Sequence, residues 1–183
     1  MRIAISKIEC HYSERAQRVK NLDCNHEGLI RGNEGMGWTT EVFKNPNWSL
    51  IESSLEPLRS ECGQIVLKFG RDHFNYIQID SAGQYLMCIL NIDYPMQNDS
   101  SKEVGVYALI DKTVPVVENL EELAEEGIRD HIVEIGAGEC PQHNTIADFD
   151  AVVSSIKSYL ELDENSNSDR YVWLDINEND ERF

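Results

Sequence analysis

Between Asn45 and Ile92 the chain reads as one helix followed by three strands on short links, which commits this region to an antiparallel sheet packed with a helix. Asn45 is placed to cap the helix with its side-chain oxygen, and Pro46 suits the first helical position, where a missing N–H costs nothing. Trp48, Ile51, Leu55 and Leu58 then recur at helical spacing, so one apolar stripe faces a core while Glu52, Glu56 and Arg59 stay wet. Pro57 and Gly63 limit its length.

The β-rich runs are 65–69, 74–79 and 85–92, separated by Gly70-Arg71-Asp72-His73 and Ser81-Ala82-Gly83-Gln84. Links of that length and composition suit hairpins, so the runs form an antiparallel meander. In the middle run Phe74, Tyr76 and Gln78 share one side and Asn75, Ile77 and Ile79 the other. Neither side is cleanly polar, which predicts a sheet partly covered on both faces.

The remaining segments add to that unit. Ile3, Ile5 and Ile8 predict a first strand within 2–10, with the alternation slipping after Ser6. Residues 13–19 suit a short helical turn, and Gly28, Gly32, Gly35 and Gly37 predict loops and tight turns up to a strand from Trp38 to Phe43. Tyr94 to Lys102 reads as a polar connection, Val104 to Ile110 as a strand, and Val114 to Val117 as extended, because Pro115 pushes its predecessor from the helical region. A short helix capped by Asn119 and stopped at Gly127 is expected next, then a strand from His131 to Ile135 and a turn-rich stretch from Gly136 to Asn144. Asp148 caps a second main helix with Phe149, Val152, Val153, Ile156 and Leu160 on its apolar face. A polar loop at 163–169, a last strand at 171–176 and a charged tail at 177–183 complete an α+β reading: one domain over 1–176, with 1–44 as its N-terminal segment.

The 183 residues, 41% of them hydrophobic, suffice to bury a core as one domain. No apolar run is long enough to span a bilayer, and charge soon interrupts the start, so a soluble cytoplasmic protein without a signal peptide is expected. Five scattered cysteines, Cys10, Cys24, Cys62, Cys88 and Cys140, fit reduced thiols better than a disulfide framework. Net charge is −17 and uneven: residues 1–110 carry 14 acidic and 11 basic side chains, whereas 111–183 carry 19 and 5. Such a field repels nucleic acid and anionic membranes and speeds the approach of a basic protein, although acidity alone also serves solubility. The surface candidates for that partner are Glu121, Glu122, Glu125 and Glu126, followed by Asp163, Glu164 and Asp169. Like charges at i,i+4 within the first group cost a few tenths of a kcal/mol per pair, a cost that binding would justify and that many exposed acidic helices also bear. Exposed strand edges leave a homodimer open as well.

Candidate chemistry is weak by comparison. Cys10-His11, Cys24-x-His26 and Cys140-x-x-His143 offer zinc-type ligands, but their spacings do not match paired knuckles, so no metal is expected. Cys140 and His143 lie close on a Gly-rich turn, yet nothing around them orients a thiol and its base, and a hydrolase reading ranks low. Gly136-x-Gly138 lacks the third glycine, lysine and helix start of a phosphate cradle, so no cofactor is expected. Trp48, Tyr76, Tyr85, Phe149 and Trp173 sit in apolar patterns that make packing their default role.

The order of these features resembles the immunity proteins of bacterial polymorphic toxins, in particular immunity protein family one. The resemblance runs from Asn45-Pro46-Asn47-Trp48 through Ile65-Val66-Leu67, Tyr76-Ile77-Gln78-Ile79, Gly83-Gln84-Tyr85-Leu86 and Val114-Pro115 to the helix from Asp148 and the closing Tyr171-Val172-Trp173. It covers roughly residues 40–176, a span of single-domain size. It implies a non-enzymatic α+β protein that blocks the C-terminal domain of a cognate toxin, often one attacking nucleic acid. An acidic adaptor or regulatory module of a bacterial complex is the alternative.

Overall fold

The computed structural model of the chain describes residues 3–13, 26–31, 38–70, 75–95, 102–114, 132–135, 138–141, 144–160 and 170–176. Its strands are β1 Ile5–Ser13, β2 His26–Arg31, β3 Trp38–Lys44, β4 Cys62–Phe69, β5 Asn75–Ala82, β6 Leu86–Pro95, β7 Lys102–Asp111, β8 Ile132–Ile135, β9 Gly138–Pro141 and β10 Tyr171–Asp175. Eight of them form one sheet in the order β10-β7-β6-β5-β4-β1-β3-β2, every pairing antiparallel, while β8 and β9 form a separate hairpin. The expected meander is therefore its centre, β4 to β6, and the strand expected at 104–110 extends it as β7. The first strand enters beside β4 and carries β3 and β2 outward from it.

Among the described residues two helices complete the α+β arrangement: α1, Trp48–Leu55, which runs on into a 3-10 turn at Glu56–Arg59, and α2, Phe149–Tyr159. Ile8 and Cys10 of β1, Ile65 and Leu67 of β4, Ile77 and Ile79 of β5 and Leu90 of β6 form one apolar cluster. Leu50, Ile51, Leu55, Leu58, Val152 and Ile156 from the helices complete it. Strand alternation explains the selection, since β4 and β5 align Ile65 with Ile79 and Leu67 with Ile77 and so direct all four to the helix side. Outside the core, Lys157 meets Glu52 at 3.2 Å and lies 4.9 Å from the Trp48 ring centroid, tying the helices together. Arg59 likewise meets Asp150 at 2.8 Å and sits 4.2 Å over the Phe149 ring.

The start of α1 departs from the expected one. Asn47 is the cap, its Oδ1 accepting from Leu50 N–H at 2.8 Å, while Asn45 adopts φ 47 and donates its own N–H to Ser6 O at 2.8 Å. Asparagine tolerates the left-handed region, so Asn45 makes the corner out of β3, and Pro46 precedes the cap instead of opening the helix. Asp148 caps α2 as expected, accepting from Ala151 N–H at 3.0 Å.

Other boundaries moved for identifiable reasons. β2 lies where glycines predict loops, and β9 lies in the stretch read as turns, because a cross-strand partner supplies hydrogen bonds that local propensity does not foresee. β6 and β7 take both ends of the connection expected at 94–102. Val114 belongs to a turn in which its N–H donates to Asp111 O at 3.1 Å, not to an extended run. Of the helical turn expected at 13–19, Ser13 ends β1 instead and 14–19 lie outside the described residues, as do the helix expected from Asn119, the loop at 163–169 and the tail at 177–183. Gly83 answers a geometric need: at φ 78 it carries the β5–β6 turn, and its N–H donates to Ser81 Oγ at 3.1 Å.

Leu67 is fully buried at the sheet centre, so Leu67→Ala is expected to cost about 2–5 kcal/mol. Asp148→Ala is expected to cost about 1 kcal/mol through loss of the cap. Urea unfolding followed by far-UV circular dichroism checks both, and equal effects at the two sites would contradict this assignment of the core.

Candidate functional site

The residues that alternate away from the helices build a polar layer. Its polar members are Lys7, Glu9 and His11 on β1, Gln64 and Lys68 on β4, Tyr76, Gln78 and Asp80 on β5 and Asn91 on β6, with Val66, Met87 and Ile89 among them on the same face, as the ladder registers align them. Lys7 and Lys68 converge on Glu9 Oε1 at 2.8 and 3.0 Å. Asn91 Nδ2 donates to Tyr76 OH at 3.1 Å.

Asp80 is the centre of the layer and is fully buried. Gln64 Nε2 donates to its Oδ1 at 2.8 Å and Gln78 Nε2 to its Oδ2 at 2.7 Å, so two neutral amides, one on β4 and one on its own strand, hold the carboxylate. Burial raises its pKa despite both amides and the nearby His11, whereas burial lowers that of His11 against the pull of Glu9 and Asp80. The β8–β9 hairpin touches β5, and because β4 and β6 occupy both edges of that strand, the hairpin reaches it over a face or at an end.

A second polar cluster sits where β7 meets β10. Asp111 Oδ2 accepts from Arg170 Nε at 2.7 Å, and its Oδ1 accepts from Thr113 N–H at 2.9 Å and Thr113 Oγ1 at 2.6 Å. The hydrogen bond from Arg170, reinforced by Thr113, holds the Asp111 carboxyl down at about 2. The Arg170 guanidinium also lies 5.2 Å from the Tyr171 ring centroid, and the Tyr171 hydroxyl is 3.5 Å from Asp148 Oδ2.

The sequence-derived candidates fall elsewhere. Glu121, Glu122, Glu125, Glu126, Asp163, Glu164 and Asp169 all lie outside the described residues, as does His143. Cys10 and His11 are neighbours on β1 that point to opposite faces, Cys10 into the core and His11 into the polar layer, so the pair does not chelate one ion. Burial pushes the Cys88 thiol up, and Cys10, Cys62 and Cys88 are thiols outside any disulfide. Among the described residues no three histidine, cysteine or carboxylate side chains gather as metal ligands do. On the helix side Glu41 is buried opposite Cys10, and its Oε2 has no hydrogen-bond partner among the described residues.

Asp80 was the residue sequence reasoning passed over. Its signal was the alternation of Tyr76, Gln78 and Asp80 opposite Gln64, which becomes visible only once the β4–β5 register is known.

No helix among the described residues is long and apolar enough to cross a membrane. Comparison with models of protein families, with curated proteins and with solved structures found no match.

The two aspartates predict opposite pH behaviour. Asp80 binds its proton more tightly folded than unfolded, so its contribution to stability declines as pH rises above 3.8, and Asp80→Asn is expected to flatten that decline. Asp111 binds its proton less tightly folded, so its contribution is complete above 3.8 and is lost as pH falls toward about 2, and Asp111→Asn removes this acid limb. Urea midpoints measured from pH 2 to pH 7 for both variants check the two signs.

Proposed function

We propose that this chain is a non-enzymatic immunity protein that binds and neutralises the C-terminal domain of a cognate bacterial toxin, a basic nuclease or deaminase acting on nucleic acid in the cytoplasm. The observation that carries the reading is the separation of two kinds of carboxylate. Glu9, Glu52, Glu56, Asp80, Asp111 and Asp150 are held by cations or amides within the fold. The surplus charge lies in other segments: residues 115–131 hold six acidic and one basic side chain, and 161–169 hold four and none.

A toxin that handles nucleic acid needs a cationic cleft, and carboxylates displayed together occupy it in place of phosphates. The resemblance of residues 40–176 to immunity protein family one supports the same reading, as does the α+β sheet with two helices. Glu121, Glu122, Glu125 and Glu126 form the leading contact surface, with Asp163, Glu164 and Asp169 beside it in rank.

Co-expression with the polypeptide encoded immediately upstream is expected to rescue the cell from its toxicity and to yield a stoichiometric complex. No toxicity and no complex would overturn the proposal in favour of an acidic adaptor or regulatory module. Within the complex, changing Glu121, Glu122, Glu125 and Glu126 together to Lys is expected to weaken affinity roughly tenfold or more at low salt, with a smaller salt dependence. Unchanged affinity in a folded variant would remove that surface from the interface.

A further inference from the structure

The β10 strand ends the sheet, and its hydrogen-bonding parity fixes which groups face outward. Lys112 N–H donates to Arg170 O at 2.9 Å and Ile176 N–H to Val106 O at 2.7 Å, so residues 170, 172, 174 and 176 form the bonded pairs with β7. The N–H and C=O of Tyr171, Trp173 and Asp175 consequently point away from the sheet. Among the described residues, no backbone hydrogen bond reaches those groups.

Several features fit this edge for one kind of occupant. Tyr171 and Trp173 on one face, with Val172 and Leu174 on the other, are each only half-buried, so an added strand would find apolar area on both sides of itself. Trp173 is anchored from behind by Tyr159, with ring centroids 5.9 Å apart, which keeps the edge rigid. The local charge is negative: Asp175 is exposed at one end and Asp148 stands beside Tyr171, while Arg170 is engaged by Asp111. The chain enters β10 from residues 161–169, with four acidic and no basic side chains, and leaves it into 177–183, with three and one.

We infer that β10 is a docking edge that takes an extended basic segment of the partner as a ninth strand, its backbone pairing with Tyr171, Trp173 and Asp175 and its lysine or arginine flanks meeting Asp148 and Asp175. This deepens the immunity reading by naming where and how the toxin domain is held. A second copy of this chain is a poorer occupant, because two β10 edges would bring like charges together.

The test uses the full-length protein and a synthetic peptide, Lys-Lys-Val-Thr-Val-Thr-Val-Lys-Lys, with a twin in which glutamate replaces every lysine. Amide exchange read by NMR is expected to show the lysine peptide protecting the Tyr171, Trp173 and Asp175 amides, with the glutamate twin inert. Asp175→Pro removes one outward N–H and blocks the edge while sparing the bonds of Leu174 and Ile176 to β7, and it is expected to weaken peptide binding at least tenfold. Asp175→Ala keeps the N–H and loses only one carboxylate, so it is expected to weaken binding less than Asp175→Pro and to leave Tyr171 and Trp173 protected at saturating peptide; thermal unfolding confirms that both variants are folded.

Equal protection by both peptides, no protection by either, or concentration-dependent protection without peptide would overturn the inference, the last by making a second copy the occupant. These readouts require no toxin, so they separate from the co-expression result. A rescued complex with β10 amides unprotected would leave the immunity reading intact and sink the docking edge alone.

Discussion

The register between β4 and β5 is the constraint on which the rest depends. It aligns Ile65 with Ile79 and Leu67 with Ile77 under the helices and in the same step aligns Gln64 with Asp80 on the opposite face. A slip of β5 by one residue would turn Gln78 and Asp80 into the apolar cluster and carry Ile77 and Ile79 to the opposite face. The buried carboxylate thus weighs against misregistration from one side while the aliphatic row does so from the other, and both helices rest on the surface that results.

Outward from that pair the sheet changes character. Toward β1, the helix side remains aliphatic and the far face becomes ionic, with two lysines converging on Glu9. Toward β7, the far face turns apolar, with Ala108 and Ile110 buried, so the polar layer is confined to the middle of the sheet. Within it Glu9 is held by two lysines and Asp80 by two amides, whereas the surplus acidity of the chain comes later in the sequence, at 115–131 and 161–169. The β10 edge is the described part of the sheet closest in sequence to that acidity.

What could be read from the sequence followed the strength of periodic signals. The apolar face of α2 and its cap at Asp148 were legible because five apolar residues and an aspartate agree on one local geometry. Even the slip noticed after Ser6 corresponds to a register shift between Ile5 and Lys7 in the pairing with β4. Two asparagines flanking Pro46 made either a plausible cap, and only the corner out of β3 decides for Asn47. β2, β9 and the Asp80 layer were hidden for a common reason: each is defined by residues on another strand, and a single local window contains none of them. The acidic candidates on 115–131 and 161–169 were chosen from charge density, a property that places no atom.

The position of β1 has a consequence for the order in which the molecule is made. Its partners are β3 and β4, so β1 to β7 come together from the first 111 residues of the chain. The lid over Leu86, Leu90 and Leu109 comes from Ile146 and α2, which are synthesised later. During translation the nascent sheet therefore carries an uncovered aliphatic surface until about residue 160 has left the ribosome, which is when a growing chain is most open to aggregation and to chaperone capture. Synthesis that stops between β7 and α2 would release a sheet that lacks β10 and the later part of its apolar cover.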